Sequence, residues 1–254
     1  MKRRGFIGAL TALLLLPARR VAQAVCNPSL VRLLEQGHDL VQIRPRRTPR
    51  LGDYFVQWFG HSSFLIHSGS QTKVVTDPNF NVTPGIQADA VTVSNDHMTH
   101  NNVGAVSGDP LILRGITLRQ TWNPIRTSVR DITIVNIPSQ RGLWYGGVAN
   151  SIFIYEMGSL CLAHLGNMGH LLTPEQEKVL QKVDIVMMPI DAMTNLGFED
   201  LLKVIEQVRP PIVIPMHYDA PRQADLQLLL SRSMLPKSTE IFILTHPRRG
   251  LLWE

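Results

Sequence analysis

The sequence predicts a mixed α/β fold in which two β-sheets pack face to face with helices outside them. Two observations lead to this prediction. From residue 53 onward the chain is a series of short strand-like segments, and beyond residue 172 helical and strand-like segments alternate. The chain has 254 residues, of which 44% are hydrophobic and 18% charged, so it can bury a substantial core and is not intrinsically disordered.

Residues 1–24 have the pattern of an export signal. Basic residues at positions 2–4 precede a short apolar run, and residues 22–24 (AQA) form a small-x-small cleavage site. The run is too short to span a bilayer, so we expect no transmembrane segment in the mature chain. Residues 3–7 (RRGFI) resemble a twin-arginine signal, with an ordinary secretory signal as the alternative. We therefore expect an exported, periplasmic or extracytoplasmic protein.

The net charge of the chain comes from this segment. The chain carries 25 basic and 20 acidic residues, and residues 1–24 hold five of the basic residues and no acidic one. The remainder is formally neutral, so a basic nucleic-acid-binding surface is not expected. The expected partner is a small-molecule substrate or ligand. Cys26 and Cys161 could pair in an oxidising compartment, although Cys161 lies in an apolar run that predicts a buried position.

The elements follow in order along the chain. Residues 27–43 predict a short helix, and residues 44–50 form an Arg- and Pro-rich linker. We therefore divide the chain into a signal (1–24), an N-terminal helix and linker (25–52) and one domain (53–254). Strands are predicted where short apolar runs lie between turn residues: 54–59, 63–67, 73–76, 90–94, 111–113, 116–120, 131–137, 151–155, 160–164, 183–188, 212–214 and 241–244.

Turn and capping residues separate these segments. Residues 157–159 (MGS) predict a hairpin. A helix is predicted to begin after Thr173, an N-cap residue followed by Pro174. Two further helices are predicted at 198–208 and 223–234, the first of which ends before two prolines.

Histidines follow three of the predicted strands. His97 and His100 come after the strand 90–94, His164 and His170 begin and end the segment 164–170 at the end of the strand 160–164, and His217 follows 212–214. Loops that leave strand ends can direct several side chains to one point. A single histidine in such a loop is usually structural, whereas three such loops indicate a shared metal or catalytic site.

At these residues the sequence resembles the metallo-β-lactamase superfamily, and within it the small zinc-dependent hydrolases that include ascorbate-6-phosphate lactonase-like proteins. The resemblance covers about residues 53–219. Four segments carry it: 58–64 (WFGHSSF), 76–78 (TDP), 164–176 (HLGNMGHLLTPEQ) and 214–218 (IPMHY). It implies a four-layer αββα sandwich with the site at one edge of the two sheets, and it implies metal-dependent hydrolysis.

The sequence departs from the ligand pattern that this resemblance implies. The family loop His-x-His-x-Asp-His is here 95–100 (NDHMTH), so Asn95 and Thr99 replace a histidine and an aspartate. Asn167 replaces a bridging carboxylate, and residues 137–140 (IPSQ) replace a His-Asp pair. Neutral oxygens are weak zinc ligands, so a dinuclear centre is not expected. The implied ligands that remain are three histidines, which suffice for one zinc or other divalent ion with an open position: His97, His100 and His217.

Five further residues are candidates for this site. Asp191 stands where the resemblance implies a glycine, and it is a candidate ligand or general base, with a solvated loop residue or a helix cap as the alternative. The others are expected to contact the ligands or to hold the loops rather than to bind the metal: His61, Asp77, His164 and His170.

Two functions of different classes are compatible with these observations. The first is an exported hydrolase with one metal ion, which cleaves an ester, lactone or phosphoester by metal-activated water. The second is a metal-free pseudoenzyme that serves as a binding or structural module. The neutral residues at positions 95, 99 and 167 favour the second, and the retained histidines favour the first.

Overall fold

The fold consists of two mixed sheets that pack face to face. A computed structural model describes residues 40–42, 54–80, 85–142, 149–158, 160–191, 195–217 and 240–241. Across the first sheet the strands are β1 (Leu40–Gln42), β2 (Tyr54–Gly60), β3 (Ser63–His67), β4 (Lys73–Thr76), β6 (Ala90–Val93) and β8 (Leu111–Arg114). Across the second they are β15 (Glu240–Ile241), β14 (Ile212–Met216), β13 (Ile185–Pro189), β12 (Leu160–His164), β11 (Ala149–Met157), β10 (Ile132–Gln140) and β9 (Arg126–Val129).

The smaller elements lie beside these sheets. Strands β5 (Ile86–Gln87) and β7 (Val106–Ser107) form a two-stranded sheet, with one 3₁₀ turn at Val103–Ala105. The described helices are α1 (Pro174–Leu180) and α2 (Phe198–Val208). None of the helices in the described part of the chain is long and apolar enough to cross a membrane.

One continuous apolar core joins the two sheets. Phe64 and Ile66 of β3 belong to the same buried cluster as Ile134 of β10 and Ile152 of β11. The apolar face of α2 joins this cluster through residues such as Leu201. The predicted arrangement of two sheets packed face to face is therefore confirmed.

Parallel strand pairs bring the carboxyl ends of many strands to one edge. Strands β4, β6 and β8 run parallel in the first sheet, and β12, β13 and β14 run parallel in the second. Backbone hydrogen bonds join the two sheets there. Ser151 N–H donates to the Ser94 carbonyl at 2.9 Å, and His217 N–H donates to the His61 carbonyl at 3.0 Å. Loops that follow the strands therefore meet at this edge.

Two predicted elements are wrong. Residues 40–42, predicted as the end of a helix, form β1 and pair in parallel with β2. The predicted strand 116–120 is a turn, in which Thr117 N–H donates to the Thr121 carbonyl and Gln120 has a positive φ of 58°. In both segments tertiary or local hydrogen bonding overrides the propensity of the residues.

Other predictions are confirmed. Residues 157 and 160 flank the predicted hairpin between β11 and β12, with Gly158 at a φ of 60°. Thr173 caps α1 in a reciprocal capping box with Gln176. Helix α2 ends at Arg209, which adopts the left-handed conformation. The export signal, residues 27–39, the linker 44–50, the helix 223–234 and most of the strand 241–244 lie outside the described residues.

Candidate metal centre

His100 is a buried histidine whose orientation is set by a carboxylate. It lies in the loop after β6, and Asp77 follows β4, the neighbouring strand. The Nδ1 of His100 is 2.7 Å from Oδ2 of Asp77 and 3.0 Å from the Ser62 hydroxyl. Because the carboxylate accepts a hydrogen bond from Nδ1–H, the proton of the neutral ring lies on Nδ1 and its lone pair lies on Nε2. That Nε2 is buried and has no hydrogen-bond partner.

The carboxylate of Asp77 is itself held by Ser94. Backbone N–H and hydroxyl of Ser94 both donate to Asp77, at 2.7 and 2.5 Å. Burial raises the pKa of Asp77, whereas the nearby His164 and the Ser94 hydrogen bonds lower it. Burial, followed by the neighbouring histidines, lowers the pKa of His100 well below its ordinary value. His100 is therefore a neutral imidazole at pH 7.

His217 repeats the same arrangement on the second sheet. It follows β14 with a positive φ of 65°, and its Nδ1 is 3.4 Å from Oδ1 of Asp191. The Asn195 amide donates to that carboxylate oxygen and lies 3.3 Å from Nδ1 of His217. The Nε2 of His217 is also buried without a hydrogen-bond partner. Carboxylate–histidine pairs of this kind orient the ligands of metal sites.

His61 is the third histidine of the cluster. It occupies the turn between β2 and β3 with a positive φ of 53°. Its carbonyl accepts hydrogen bonds from the Trp58 indole at 3.0 Å and from the His217 N–H at 3.0 Å. These two hydrogen bonds stabilise the conformation of the turn. Its ring is stacked on that of His217, with centroids 3.8 Å apart. Burial and the neighbouring His217 and His100 lower the pKa of His61 to about 2.

These three histidines form a candidate metal centre. One ligand nitrogen of each of His61, His100 and His217 lies within 4.8 Å of the others. Zinc binds imidazole nitrogen at about 2.0–2.1 Å, and it takes three protein ligands with an open position in catalytic sites. The lowered pKa values and the two unpartnered Nε2 atoms fit neutral nitrogen donors for such an ion. The stacked His61 ring must turn before it and His217 can bind one ion, because the lone pairs of stacked rings run side by side.

The structure does not bring His97 into this group. Its ring centroid is 6.3 Å from that of His100. Its Nδ1 lies 2.8 Å from the Thr99 hydroxyl, and its backbone N–H donates to Asn95 at 3.1 Å. Within the described residues, His61 thus takes the place that the sequence predicted for His97. The reason is the left-handed turn at His61, which directs the ring toward His217.

Neutral amides occupy the positions where the resemblance implies further ligands. Asn95 donates from Nδ2 to the Ser94 hydroxyl at 3.0 Å and to Asn150 at 3.4 Å. The Asn150 side chain also accepts from the Asn167 N–H at 2.9 Å. Oδ1 of Asn167 is buried without a hydrogen-bond partner. This network supplies no negative charge to balance a second ion.

The two histidines of the 164–170 segment have structural contacts on both ring nitrogens. His164 lies 2.8 Å from the Ser62 carbonyl through Nε2, and its Nδ1 accepts from Gly166 N–H at 3.2 Å. His170 donates from Nδ1 to the Leu171 carbonyl at 2.7 Å, and its Nε2 accepts from Gln140 N–H at 3.2 Å. Both residues therefore hold loops rather than offer a lone pair to the site.

Several residues of the site were missed in the sequence. Asn195 contacts both Asp191 and His217, Ser94 holds Asp77, and Arg141 is a buried residue beside the 167–169 loop. Ser94 carries a signal, since it directly follows the buried strand before the histidine loop. Asn195 and Arg141 carry none, because neither belongs to a recognisable motif.

The comparisons with known proteins agree with this fold. The sequence profile of the β-lactamase superfamily domain matches residues 55–217. A protein of Methanosarcina mazei, named as a metal-dependent hydrolase, is 23% identical over 201 residues, which cover 66% of this chain and 85% of the relative. One of Salinibacter ruber with the same description is 27% identical and covers 66% and 87%.

Solved structures share the architecture. A candidate zinc-dependent hydrolase of the metallo-β-lactamase superfamily from Thermotoga maritima has a TM-score of 0.57 and 24% identity, with 74% of this chain and 97% of that chain covered. A diiron β-hydroxylase from Streptomyces venezuelae has the same TM-score of 0.57 at 13% identity, with 79% and 54% covered. The narrower likeness to ascorbate-6-phosphate lactonase-like proteins stays a prediction. Because the family profile matches well over half of the sequence, the chain belongs to the β-lactamase superfamily, whose fold is the predicted αββα sandwich.

Proposed function

We propose that this protein is an exported metal-dependent hydrolase with one metal ion, zinc or another divalent metal, that cleaves an ester, lactone or phosphoester. One observation carries the proposal. Two buried histidines, His100 and His217, each face a carboxylate through Nδ1 and leave Nε2 without a partner beside His61. The relatives named as metal-dependent hydrolases support the same class of reaction.

Each residue has a defined task in this proposal. His61, His100 and His217 offer neutral nitrogens, and Asp77 keeps the proton of His100 on Nδ1. In this proposal Asp191 positions His217, because its carboxylate lies 3.4 Å from Nδ1 of that ring. The role of Asp191 as a ligand or general base stays a prediction. A bound divalent ion would lower the pKa of a coordinated water so that hydroxide forms near neutral pH.

A single ion is proposed because the described residues provide one cluster of donors. Asn95, Thr99 and Asn167 offer only neutral oxygens, and Asn95 is already engaged with Ser94 and Asn150. The same neutral network favours the alternative, a metal-free pseudoenzyme that serves as a binding or structural module. The two proposals differ in whether the purified protein binds metal.

Export is proposed from residues 1–24 alone. The basic start, the apolar run and the AQA cleavage site predict removal of this segment. Mass spectrometry of the protein recovered from the periplasm tests this removal, because the mature chain should have the mass of the sequence without residues 1–24. A chain that still carries residues 1–24 contradicts the proposal.

The metal is tested on this mature protein, without a His tag, by plasma mass spectrometry after incubation with zinc and desalting. Wild type is expected to hold about one ion per chain. His61→Asn and His217→Asn are expected to lose it. Asparagine suits both positions because it tolerates the left-handed backbone that they adopt.

His97→Asn is the matched control, and it is expected to retain the ion. Loss of metal in His97→Asn with retention in His61→Asn would instead support the ligand set that the sequence implied. Absence of metal from the wild type, even with excess zinc, would leave the metal-free module as the function.

A further inference from the structure

We infer that this protein forms a dimer about a twofold axis, in which strand β8 of one copy pairs antiparallel with β8 of a second copy. The inference concerns a surface outside the histidine cluster, so it does not depend on the proposed hydrolase. It follows from the backbone groups that β8 turns outward, from the register that would pair them and from the apolar side chains beside them.

Strand β8 is an edge strand of the first sheet. It pairs in parallel with β6, and no other strand of the described residues lies beside it. Leu111 N–H donates to the Asp89 carbonyl at 3.0 Å. Gly115 N–H donates to the Val93 carbonyl at 2.8 Å. The odd-numbered residues of β8 therefore bond toward β6, and the backbone groups of the even-numbered residues point away from it.

Three even-numbered residues present their backbone at this outer side of β8: Pro110, Ile112 and Arg114. Pro110 has no N–H to donate. The Arg114 carbonyl already accepts from Nδ2 of Asn123 at 2.8 Å. Four groups remain, and the described residues supply no hydrogen bond to them: the carbonyl of Pro110, the N–H and carbonyl of Ile112, and the N–H of Arg114.

Antiparallel pairing of two β8 strands about Ile112 satisfies all four groups. In this register Ile112 faces Ile112 of the second copy, and the two residues exchange two hydrogen bonds. Arg114 faces Pro110 of the second copy, and its N–H donates to the carbonyl of that proline. The missing N–H of Pro110 then lies opposite the carbonyl of Arg114, which Asn123 already engages. By symmetry the same contacts form at both ends of the pair.

Other registers leave groups of Ile112 without a partner. With the axis at Leu111, Ile112 faces Pro110, and its carbonyl meets no donor. With the axis at Leu113, Ile112 faces Arg114, whose carbonyl is already engaged. A strand of another protein would have to reproduce this pattern of missing and engaged groups, whereas a second copy carries it. The β8 edge is therefore complementary to itself.

Apolar side chains lie along the same edge. Eight large hydrophobic residues are exposed in the described part of the chain, and four of them fall within residues 111–122: Leu111, Ile112, Leu118 and Trp122. In the inferred register Ile112 packs against Ile112 of the second copy on one face of the paired strands. Leu111 packs against Leu113 on the other face. The pairing thus removes apolar surface from water.

The charges on the two sheets favour β8 over the other edge. Strand β9, at the edge of the second sheet, exposes Arg126 and Ser128, and polar or charged residues on an edge strand discourage pairing. The β8 edge has Asp109 before its start and Arg114 at its end. In the antiparallel register Arg114 faces Pro110 of the second copy, one residue from Asp109. Opposite charges therefore come together at both ends of the pair.

Sedimentation velocity of the mature protein, treated with a chelator so that no metal bridges two chains, measures the oligomeric state from about 1 to 100 μM. Wild type is expected to reach twice the mass of one chain. Ile112→Lys is expected to weaken the dimer at least about tenfold, because two like charges then face each other across the axis. Val179→Lys is the matched control, since Val179 and Ile112 are each 37% exposed, and it is expected to stay within about twofold of wild type.

A pair of cysteine variants tests the register. Residues that face each other in a hydrogen-bonded antiparallel pair have Cα atoms about 5.5 Å apart, which a disulfide can span. Ile112→Cys is therefore expected to give a cross-linked dimer under mild oxidation. Leu111→Cys is the control, because its two copies lie about 8 Å apart in this register. It is expected to cross-link at least about fivefold less, although Leu111 is the more exposed residue.

The inference is overturned if wild type stays monomeric at the highest concentration, which would leave the edge for a strand of another protein. It is also overturned if folded Ile112→Lys dimerises like wild type, because another surface then holds the copies together. Equal cross-linking of the two cysteine variants overturns the register, and this pair decides the matter if Ile112→Lys fails to fold. None of these outcomes depends on metal content, so the proposed hydrolase stands or fails separately.

Discussion

Asp77 and Asp191 each face the Nδ1 of a histidine, at 2.7 and 3.4 Å. A buried carboxylate costs free energy unless hydrogen bonds compensate for the water it has lost. Ser94 provides two of them to Asp77, and Asn195 donates to Asp191. Such buried carboxylates are expected where they have a task, and here each faces the Nδ1 of a histidine and so orients the ring and the lone pair on its Nε2.

Asp77→Asn is expected to lower zinc affinity about 10- to 100-fold. The new amide donates to Nδ1 of His100, which moves the ring proton to Nε2, where it blocks the lone pair that faces the site. Zinc titration against a chromogenic chelator measures the change.

Asp184→Asn is the control for this variant. Asp184 is a buried carboxylate that accepts from Cys161 N–H at the opposite end of β12. Its variant is expected to lose stability but to keep the zinc affinity of the wild type. Equal loss of affinity in both variants would assign the effect of Asp77→Asn to general destabilisation.

At the scale of single residues, the sequence predicted only some of the histidines that the structure brings together. His100 and His217 were predicted as ligands, and the structure brings them together. His61 was predicted as a supporting residue and lies in the cluster, whereas His97 lies outside it. The choice depends on the backbone at one position, because a φ of 53° at His61 directs its ring toward His217. No residue pattern signals that a histidine adopts this conformation.

At the scale of elements, the position of the site follows from strand direction. Six segments that follow β2, β4, β6, β12, β13 and β14 supply its residues. The alternation of helix and strand in the second half of the sequence predicts parallel strands, and parallel strands bring such segments to one edge. The closeness of the segments there depends on glycines. A Cβ on Gly166 would lie 2.6 Å from the Ser94 hydroxyl and 2.5 Å from Asn150.

Gly169→Ala is expected to destabilise the fold by about 1–3 kcal/mol, the usual cost of overpacking. The new methyl group meets the backbone nitrogen of Gly142 at 2.0 Å, and a backbone cannot move aside as a flexible side chain can. Urea denaturation measures the free energy of unfolding.

Gly104→Ala is the matched control, because no atom lies within 4 Å of its added Cβ. It is expected to change the stability by less than about 1 kcal/mol. If the two variants were equally stable, the end of β10 and the 167–169 loop would not be in backbone contact.

At the scale of the whole molecule, the buried histidines couple stability to pH. Burial lowers the pKa of His100 and His164, and burial with the charge of His217 and His100 lowers that of His61 to about 2. Below about pH 6.5 the unfolded chain takes up protons that the folded chain excludes at these sites. The free energy of unfolding is therefore highest above that pH, and it decreases as the pH falls and the histidines of the unfolded chain become protonated.

The free energy of unfolding is expected to fall between about pH 7.5 and 5.5, by up to about 1.4 kcal/mol per pH unit for each histidine that stays neutral. The raised pKa of Asp77 opposes part of this loss, since the folded chain binds that proton more readily. Urea denaturation of chelator-treated protein at several pH values measures the slope.

His61→Asn removes one of these groups. It is expected to reduce the slope of the free energy of unfolding against pH by an amount that corresponds to about one proton taken up on unfolding. A slope that is the same in the variant and the wild type would mean that His61 titrates normally in the folded chain, and the close histidine cluster would then be wrong.

The sequence by itself determined the class of fold and most of the strand positions. Through the family that it resembles, it also indicated the edge at which the site lies and the neutral residues that replace a histidine at position 95 and carboxylates at positions 99 and 167. The fold class and the strands follow from local patterns of apolar and turn residues, which a single segment carries, whereas the edge of the site and the replaced ligands are what the resemblance implies. Tertiary structure alone decided that residues 40–42 join the first sheet, that 116–120 turn back, and that His61 lies with His100 and His217. The physical reason is that each depends on contact with a segment distant in sequence or on one backbone dihedral angle, and neither is encoded in the local pattern of residues.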